Sequence, residues 1–222
     1  NALELSNSLT VKEWSITTSI FYRKTDDMIS RFRTVDPNTG IGVMTTTNFA
    51  SSENLGGELI VRYTFDKIGS IMGSFNIYRN KINGSNIQSD FQTNATQWSS
   101  RLNASLRVAK NTSFQVTGNY MAPMTTVNGK IKGMSGIDVG MKQDIMKGKG
   151  SISLNVTDIF NMRRFQYINY GDYYYTEGTR ARESRVGMLN FTYKFGKADT
   201  MFSKKKNQRP NMQDSGVEMI DY

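Results

Sequence analysis

R-V-G-M-L-N-F-T-Y-K-F, residues 185–195, decides how this chain is read. On an extended strand Leu189, Phe191, Tyr193 and Phe195 fall on one face, and Asn190, Thr192 and Lys194 on the other. A soluble sheet would set that apolar face on a protein core. A membrane barrel sets it in lipid and turns the polar face to a hydrated lumen. One strand cannot separate the two, but the same alternation recurs along the chain in runs longer than the roughly 5–6 residues usual for soluble strands.

Working outward, alternation and turn residues mark nine extended segments, near 2–10, 14–32, 43–65, 69–82, 92–108, 112–126, 130–146, 150–168 and 175–195. Trp14, Ile16, Ile20 and Tyr22 share a face, as do Leu59, Val61, Tyr63 and Phe65. Trp98, Leu102, Ala104, Leu106 and Val108 oppose Arg101, Asn103, Ser105 and Arg107, and Ile137, Val139 and Met141 oppose Asp138 and Lys142. Short turns at 11–13, 66–68, 109–111 and 147–149 alternate with longer connections at 33–42, 83–91 and 169–174, with 127–129 a shorter member of that second set. Outer-membrane barrels carry short turns on the periplasmic side and longer loops outside. Aromatics near the short-turn ends (Trp14, Phe65, Phe114, Tyr193, Phe195) suit an interfacial girdle.

Composition agrees. Only 37% of the 222 residues are hydrophobic, yet 12 Phe, 11 Tyr and 19 Gly are present. A barrel needs just half of each strand to be apolar. No run approaches the ~18 apolar residues of a membrane helix. The chain has no Cys and no His, which removes disulfides, thiol catalysis, thiolate metal sites and the usual general base. The net charge of +9 is scattered, so nucleic acid is not an expected partner. No nucleophile–base pair or phosphate loop appears, and neither an enzyme nor a cofactor is expected.

The expected fold is all-β: an antiparallel transmembrane β-barrel portion over residues 1–195, followed by a polar, flexible tail over 196–222. The strand count is odd, whereas single-chain bacterial barrels have an even one. Further strands are therefore expected upstream of residue 1 or on another chain.

Residues 15–29 (SITTSIFYRKTDDMI), 151–161 (SISLNVTDIFN) and 185–196 (RVGMLNFTYKFG) resemble the C-terminal barrel strands of TonB-dependent receptor-like outer-membrane proteins of the Bacteroidota. The resemblance spans most of residues 1–200 and rests on the order and spacing of these motifs. It implies a barrel of about 22 strands, of which this chain holds the last nine or so. It also implies an N-terminal plug, ligand import driven by a TonB-type energiser, and a tail in the periplasm. Surface lipoproteins or other outer-membrane subunits are possible further partners.

Candidate functional residues fall into three groups. Leu189, Phe191, Tyr193 and Phe195 are expected to face lipid. Arg101, Asn103, Ser105, Arg107, Asp138 and Lys142 are expected to face the lumen or a plug. Tyr167, Tyr170, Asp172, Tyr173, Tyr174 and Tyr175 form a Tyr-rich stretch on the long-loop side, where rigid rings with hydroxyls suit sugars or peptides. The opposing view of this stretch is a rim packed on neighbouring loops. Asp158 reads as a turn-satisfying residue before a lumenal ligand. Asp26-Asp27 beside Arg23 and Lys24 reads as a local ion pair before a calcium site. Two functions follow: a receptor or transporter, or a non-transporting barrel that scaffolds an outer-membrane complex through its tail and loops. A soluble basic all-β binding protein is a third.

Overall fold

The structure is a computed structural model that describes residues 1–195 except Gln88, Asp90 and Asp172. The tail and Asp172, both singled out above, lie outside the described residues. Thirteen strands follow in chain order: β1 (Ala2–Val11), β2 (Trp14–Val35), β3 (Gly42–Phe65), β4 (Gly69–Asn83), β5 (Gln92–Ala109), β6 (Thr112–Met121), β7 (Met124–Thr126), β8 (Gly129–Ile131), β9 (Met134–Ile145), β10 (Gly150–Val156), β11 (Phe165–Gly171), β12 (Tyr174–Arg180) and β13 (Gly187–Tyr193).

Nine of them make one antiparallel sheet in the order β1-β2-β3-β4-β5-β6-β9-β10-β13, and the other four make a second sheet, β12-β11-β8-β7. Among the described residues the large sheet is open, with β1 and β13 at its edges. The four segments 112–126, 130–146, 150–168 and 175–195 are each broken, contrary to the expectation of single strands. The breaks fall at Ala122-Pro123, 132–133, 157–164 and 181–186, and one piece of each segment joins the second sheet. The connection expected at 169–174 is accordingly only a hairpin tip inside an arm that runs over residues 157–186.

Register matches apolar to apolar across the whole sheet. One row runs Phe65–Gly69–Leu106–Phe114–Met141–Leu154–Leu189. An opposite-face row runs Arg62–Met72–Asn103–Thr117–Asp138. On interior strands the apolar side is the open one: Leu102 is 52% exposed, and Leu59, Ile77 and Leu154 are also exposed. Leu189 (72%) and Phe191 (62%) are more exposed still, though on an edge strand. Buried hydrophobic residues comprise Phe21, Phe49 and Ala122 alone among the described residues. So large an exposed apolar surface on a folded chain marks a membrane or partner-covered face.

The outer row has a defined height. In β2 it runs from Trp14 to Tyr22 before Lys24 and Asp26, and in β3 from Phe65 to Leu55 before Glu53. Those 9–11 residues are the length of a tilted membrane strand. Lys24 pairs with Asp26 (3.7 Å) and Glu53 (3.9 Å) just past the boundary. Aromatic rings line both margins. Trp14, Tyr63 and Phe65 form a chain at the short-turn side, with centroids 4.6 and 4.7 Å apart. Phe75, Trp98 and Tyr120 form another toward the opposite side, 5.7 and 4.9 Å apart. Tilt is visible in the register: the row that leaves Trp14 at the base of β2 reaches Gly187 at the far end of β13.

Hydroxyls and amides tie the inner face together. Ser6 bonds Ser19 (2.9 Å), Ser8 bonds Thr17 (3.0 Å), and Asn80 donates to Asn54 (2.6 Å). Phe21 is an apolar exception. It packs 6.4 Å from Tyr78 across Gly56, where any side chain would strike Tyr78.

Candidate functional site

The strands and arms that extend past the apolar rows lie on the side of the long connections. There β2 and β3 run on past the aromatic margin as a hairpin, whose Phe32 and Phe49 meet Phe91 in a small cluster with centroids 5.7–6.5 Å apart. Asn86 fastens the 84–91 connection to β3: its Oδ1 accepts from the Ala50 amide (3.0 Å), and its Nδ2 donates to the Asn48 carbonyl (2.8 Å). At the hairpin tip Asp36 accepts from the Asn38 amide (2.8 Å), and that bond holds its carboxyl below the usual carboxylate range.

The second sheet is built from two excursions. Residues 122–133 supply β7 and β8, and the 157–186 arm supplies β11 and β12. They join where the Lys132 amide donates to Gln166 and the Tyr170 amide to Asn128.

Asp158 anchors the arm. Its side chain is fully enclosed (0% exposed) and its φ is +45°. It accepts from the Met162 amide (2.9 Å), the Arg163 amide (3.0 Å) and the Ser184 hydroxyl (2.5 Å). Its own amide donates to Asp138 on the inner wall (2.8 Å). Arg163 then forks onto both Asp138 oxygens (2.8 and 2.6 Å) and reaches Asn119 (3.4 Å). Enclosure alone would raise the Asp158 carboxyl, but the Ser184, Arg163 and Met162 donors and the Arg163 charge together hold it below the ordinary range. The start of the arm is thereby fastened to the inner-wall Asp138 through the Asp158 amide and Arg163, and its far end is tied at Ser184 to the Asp158 carboxylate. Gly136 leaves room for Arg163, since any Cβ there would meet the guanidinium.

The arm's tyrosines divide by strand parity. Tyr170 and Tyr175 are register partners on one face, and Tyr175 is 66% exposed. Tyr173 is equally open at the tip. On the same face Lys132 donates to Glu177 (2.8 Å), a bond that holds Glu177 below and Lys132 above their ordinary values. Tyr167 and Tyr174 occupy the other face. Tyr167 covers Gly178 and lies under Arg180 (5.8 Å). Tyr174 is contacted by Asn128 (3.3 Å) and by the Arg33 guanidinium, 5.2 Å from its ring centre. Its hydroxyl also donates to the Arg33 carbonyl (3.5 Å), so the arm and the β2–β3 hairpin meet. The open rings are therefore Tyr170, Tyr173 and Tyr175, while Tyr167 and Tyr174 hold the sheet in place.

On the inner wall Arg101, Asn103, Ser105 and Arg107 share a face with Asp138 and Lys142. They are not equivalent. Thr117 donates to Asn103 (3.0 Å), Lys142 pairs with Asp144 (3.2 Å), and Asp138 is taken up by Arg163 and the Asp158 amide. Residue spacing alone did not reveal the Asp138–Arg163–Asp158–Ser184 knot, whose members lie up to 46 positions apart. The available signal was Asp158, a carboxylate closing an apolar strand.

An antiparallel wall with a lipid-type outer face, aromatic margins, a polar inner face and one rim of short turns defines a membrane β-barrel protein. Residues 1–193 match the family described as Outer membrane protein beta-barrel family, and the chain belongs to that family. Comparison with curated proteins and with solved structures finds no match.

Proposed function

We infer that this chain forms part of the wall of an outer-membrane receptor of the TonB-dependent kind, with the long-connection face binding ligand outside the cell. In this reading the strands that pair with β1 and β13, and a plug contacting Arg101, Arg107 and Lys142, come from the rest of the protein. Transport is energised from the periplasmic side. Unpaired strand edges are intolerable in a bilayer, which supports completion of the sheet by further strands.

The observation that carries the reading is the mounting of the Tyr170–Tyr175 face. Large, rigid aromatic rings stand open on a sheet braced at Asp158 and at Arg33. Preorganised aromatic surface binds at low entropic cost. Tyrosine faces with flanking Lys, Glu, Gln and Thr suit sugars or peptides. Binding of labelled glycans and peptides to the purified protein should fall about tenfold or more in the Tyr170→Ala/Tyr175→Ala double variant. Uptake in cells should cease when the energiser is deleted. Stable co-purification with other outer-membrane subunits, with no ligand bound and no energiser dependence, would instead establish a scaffold in an outer-membrane complex.

A further inference from the structure

At the short-turn rim the inner face carries a cleft unlike the rest of the wall. Arg62, Lys67 and Arg107 surround the hydroxyls of Ser70, Ser105 and Ser113, and no carboxylate lines it. The nearest acids on the rim, Glu13 and Asp66, face the neighbouring cleft beside Trp14, and Asp144 is paired with Lys142. None of the described ion pairs uses Arg62, Lys67 or Arg107. Arg62 is steadied by Ser70 (3.3 Å).

Backbone geometry builds this cleft. A register shift between Arg107 and Ala109 interrupts the β5–β6 ladder, and the Arg107 amide turns to the Ile68 carbonyl (2.5 Å). That bond draws the 66–68 turn against β5 and brings Lys67 and Arg107 together. Gly69, at φ +145°, permits the approach, because a side chain there would overlap the Ser105 carbonyl. Lys67 itself sits at φ +57°. Lys12 (+53°) and Lys147 (+56°) do the same in two other short turns. Glycine or asparagine suits that conformation better, so lysine here keeps a positive charge on the rim against local preference.

The chain leaves the sheet at this same rim: the Lys194 amide donates to Lys149 in a short turn (2.8 Å). Beyond Arg209 the only side-chain charges in the sequence are acidic: Asp214, Glu218 and Asp221. We propose that this acidic segment docks in the Arg62–Lys67–Arg107 cleft, so that the chain's own tail occupies the lumenal face at the short-turn rim.

The reach fits. From β13 to β5 and β3 is four to six strand steps, or about 20–29 Å at ~4.8 Å per step. A relaxed coil of the 19 residues from Phe195 to Asp214 spans about 25 Å. Effective concentration is greatest when these lengths agree. The cleft faces inward, away from lipid, which favours a peptide over a phospholipid headgroup. The proposal rests on the fold and does not require transport.

The Cys-free chain allows a clean test. Nitroxides at Gln115→Cys and Val217→Cys, in the complete protein purified from outer membranes, report the distance by pulsed electron resonance. Docking gives a narrow, short component. That component is lost in Arg62→Gln/Arg107→Gln. It is also lost in Asp214→Asn/Glu218→Gln/Asp221→Asn, whose changes lie outside the barrel and leave its folding untouched. Arg107→Glu combined with Glu218→Arg restores it in part. A single broad distribution shared by all variants overturns the proposal. So does a short component indifferent to the cleft variants, or one that requires phosphatidylglycerol nanodiscs and Lys204–Lys206.

Discussion

Asp158 shows how one residue can set the posture of a whole arm. Five hydrogen bonds converge on it: three to its carboxylate, one from its amide and one from the Asn161 amide to its carbonyl. Replacing it with Ala leaves the Met162 and Arg163 amides and the Ser184 hydroxyl without their acceptor. Bonds to a charged group are worth about 1.5–3 kcal/mol. Amide protection of residues 159–164 should therefore fall roughly ten- to a hundredfold, read by hydrogen exchange, while the strands of the large sheet keep theirs. Gly136→Val should produce a similar local loss by displacing Arg163 from Asp138. The sign of the pH effect follows from the lowered carboxyl. Its stabilisation is complete above the unfolded value of about 3.9 and fades as pH drops below that toward the lower folded value. Protection factors for the Met162 and Arg163 amides should hold from neutrality to about pH 5 and decline only under stronger acid.

Elements were legible in the sequence where both faces of a strand have a clear solvent. In β5 the alternation of Trp98 to Val108 against Arg101 to Arg107 gave the strand, its parity and its length, because lipid and water impose opposite demands on successive residues. The same logic fails beyond the aromatic margin, where both faces are wet. There β10 gives way to the arm at Asp158 and β12 to β13 at residues 181–186, yet 150–168 and 175–195 still look like continuous runs. The sorting of the tyrosines was equally hidden. It depends on Gly171 and Gly178 offering seats to Tyr174 and Tyr167, and on contact with Arg33, some 140 positions away. The faces of β5 and β6 permit a direct comparison. Leu102→Arg, placing a charge mid-band on the outer face, should cost about 2–4 kcal/mol in a vesicle unfolding measurement. Gln115→Arg on the inner face should stay within about 0.5 kcal/mol.

For the molecule as a whole, polarity is inverted relative to a soluble fold: the exposed outer face of the large sheet carries most of its Leu, Ile and Trp, and the opposite face carries Ser, Thr, Asn and Arg. That inversion is what membership of an outer-membrane β-barrel family requires. The most direct test is a nitroxide scan through residues 98–108 in lipid bilayers, comparing quenching by oxygen, which concentrates in hydrocarbon, with quenching by a water-soluble nickel chelate. Oxygen should dominate at 98, 100, 102, 104, 106 and 108, and nickel at the residues between them. Loss of that two-residue period, with nickel reaching both parities or with the even positions shielded from oxygen, would contradict a lipid-facing wall.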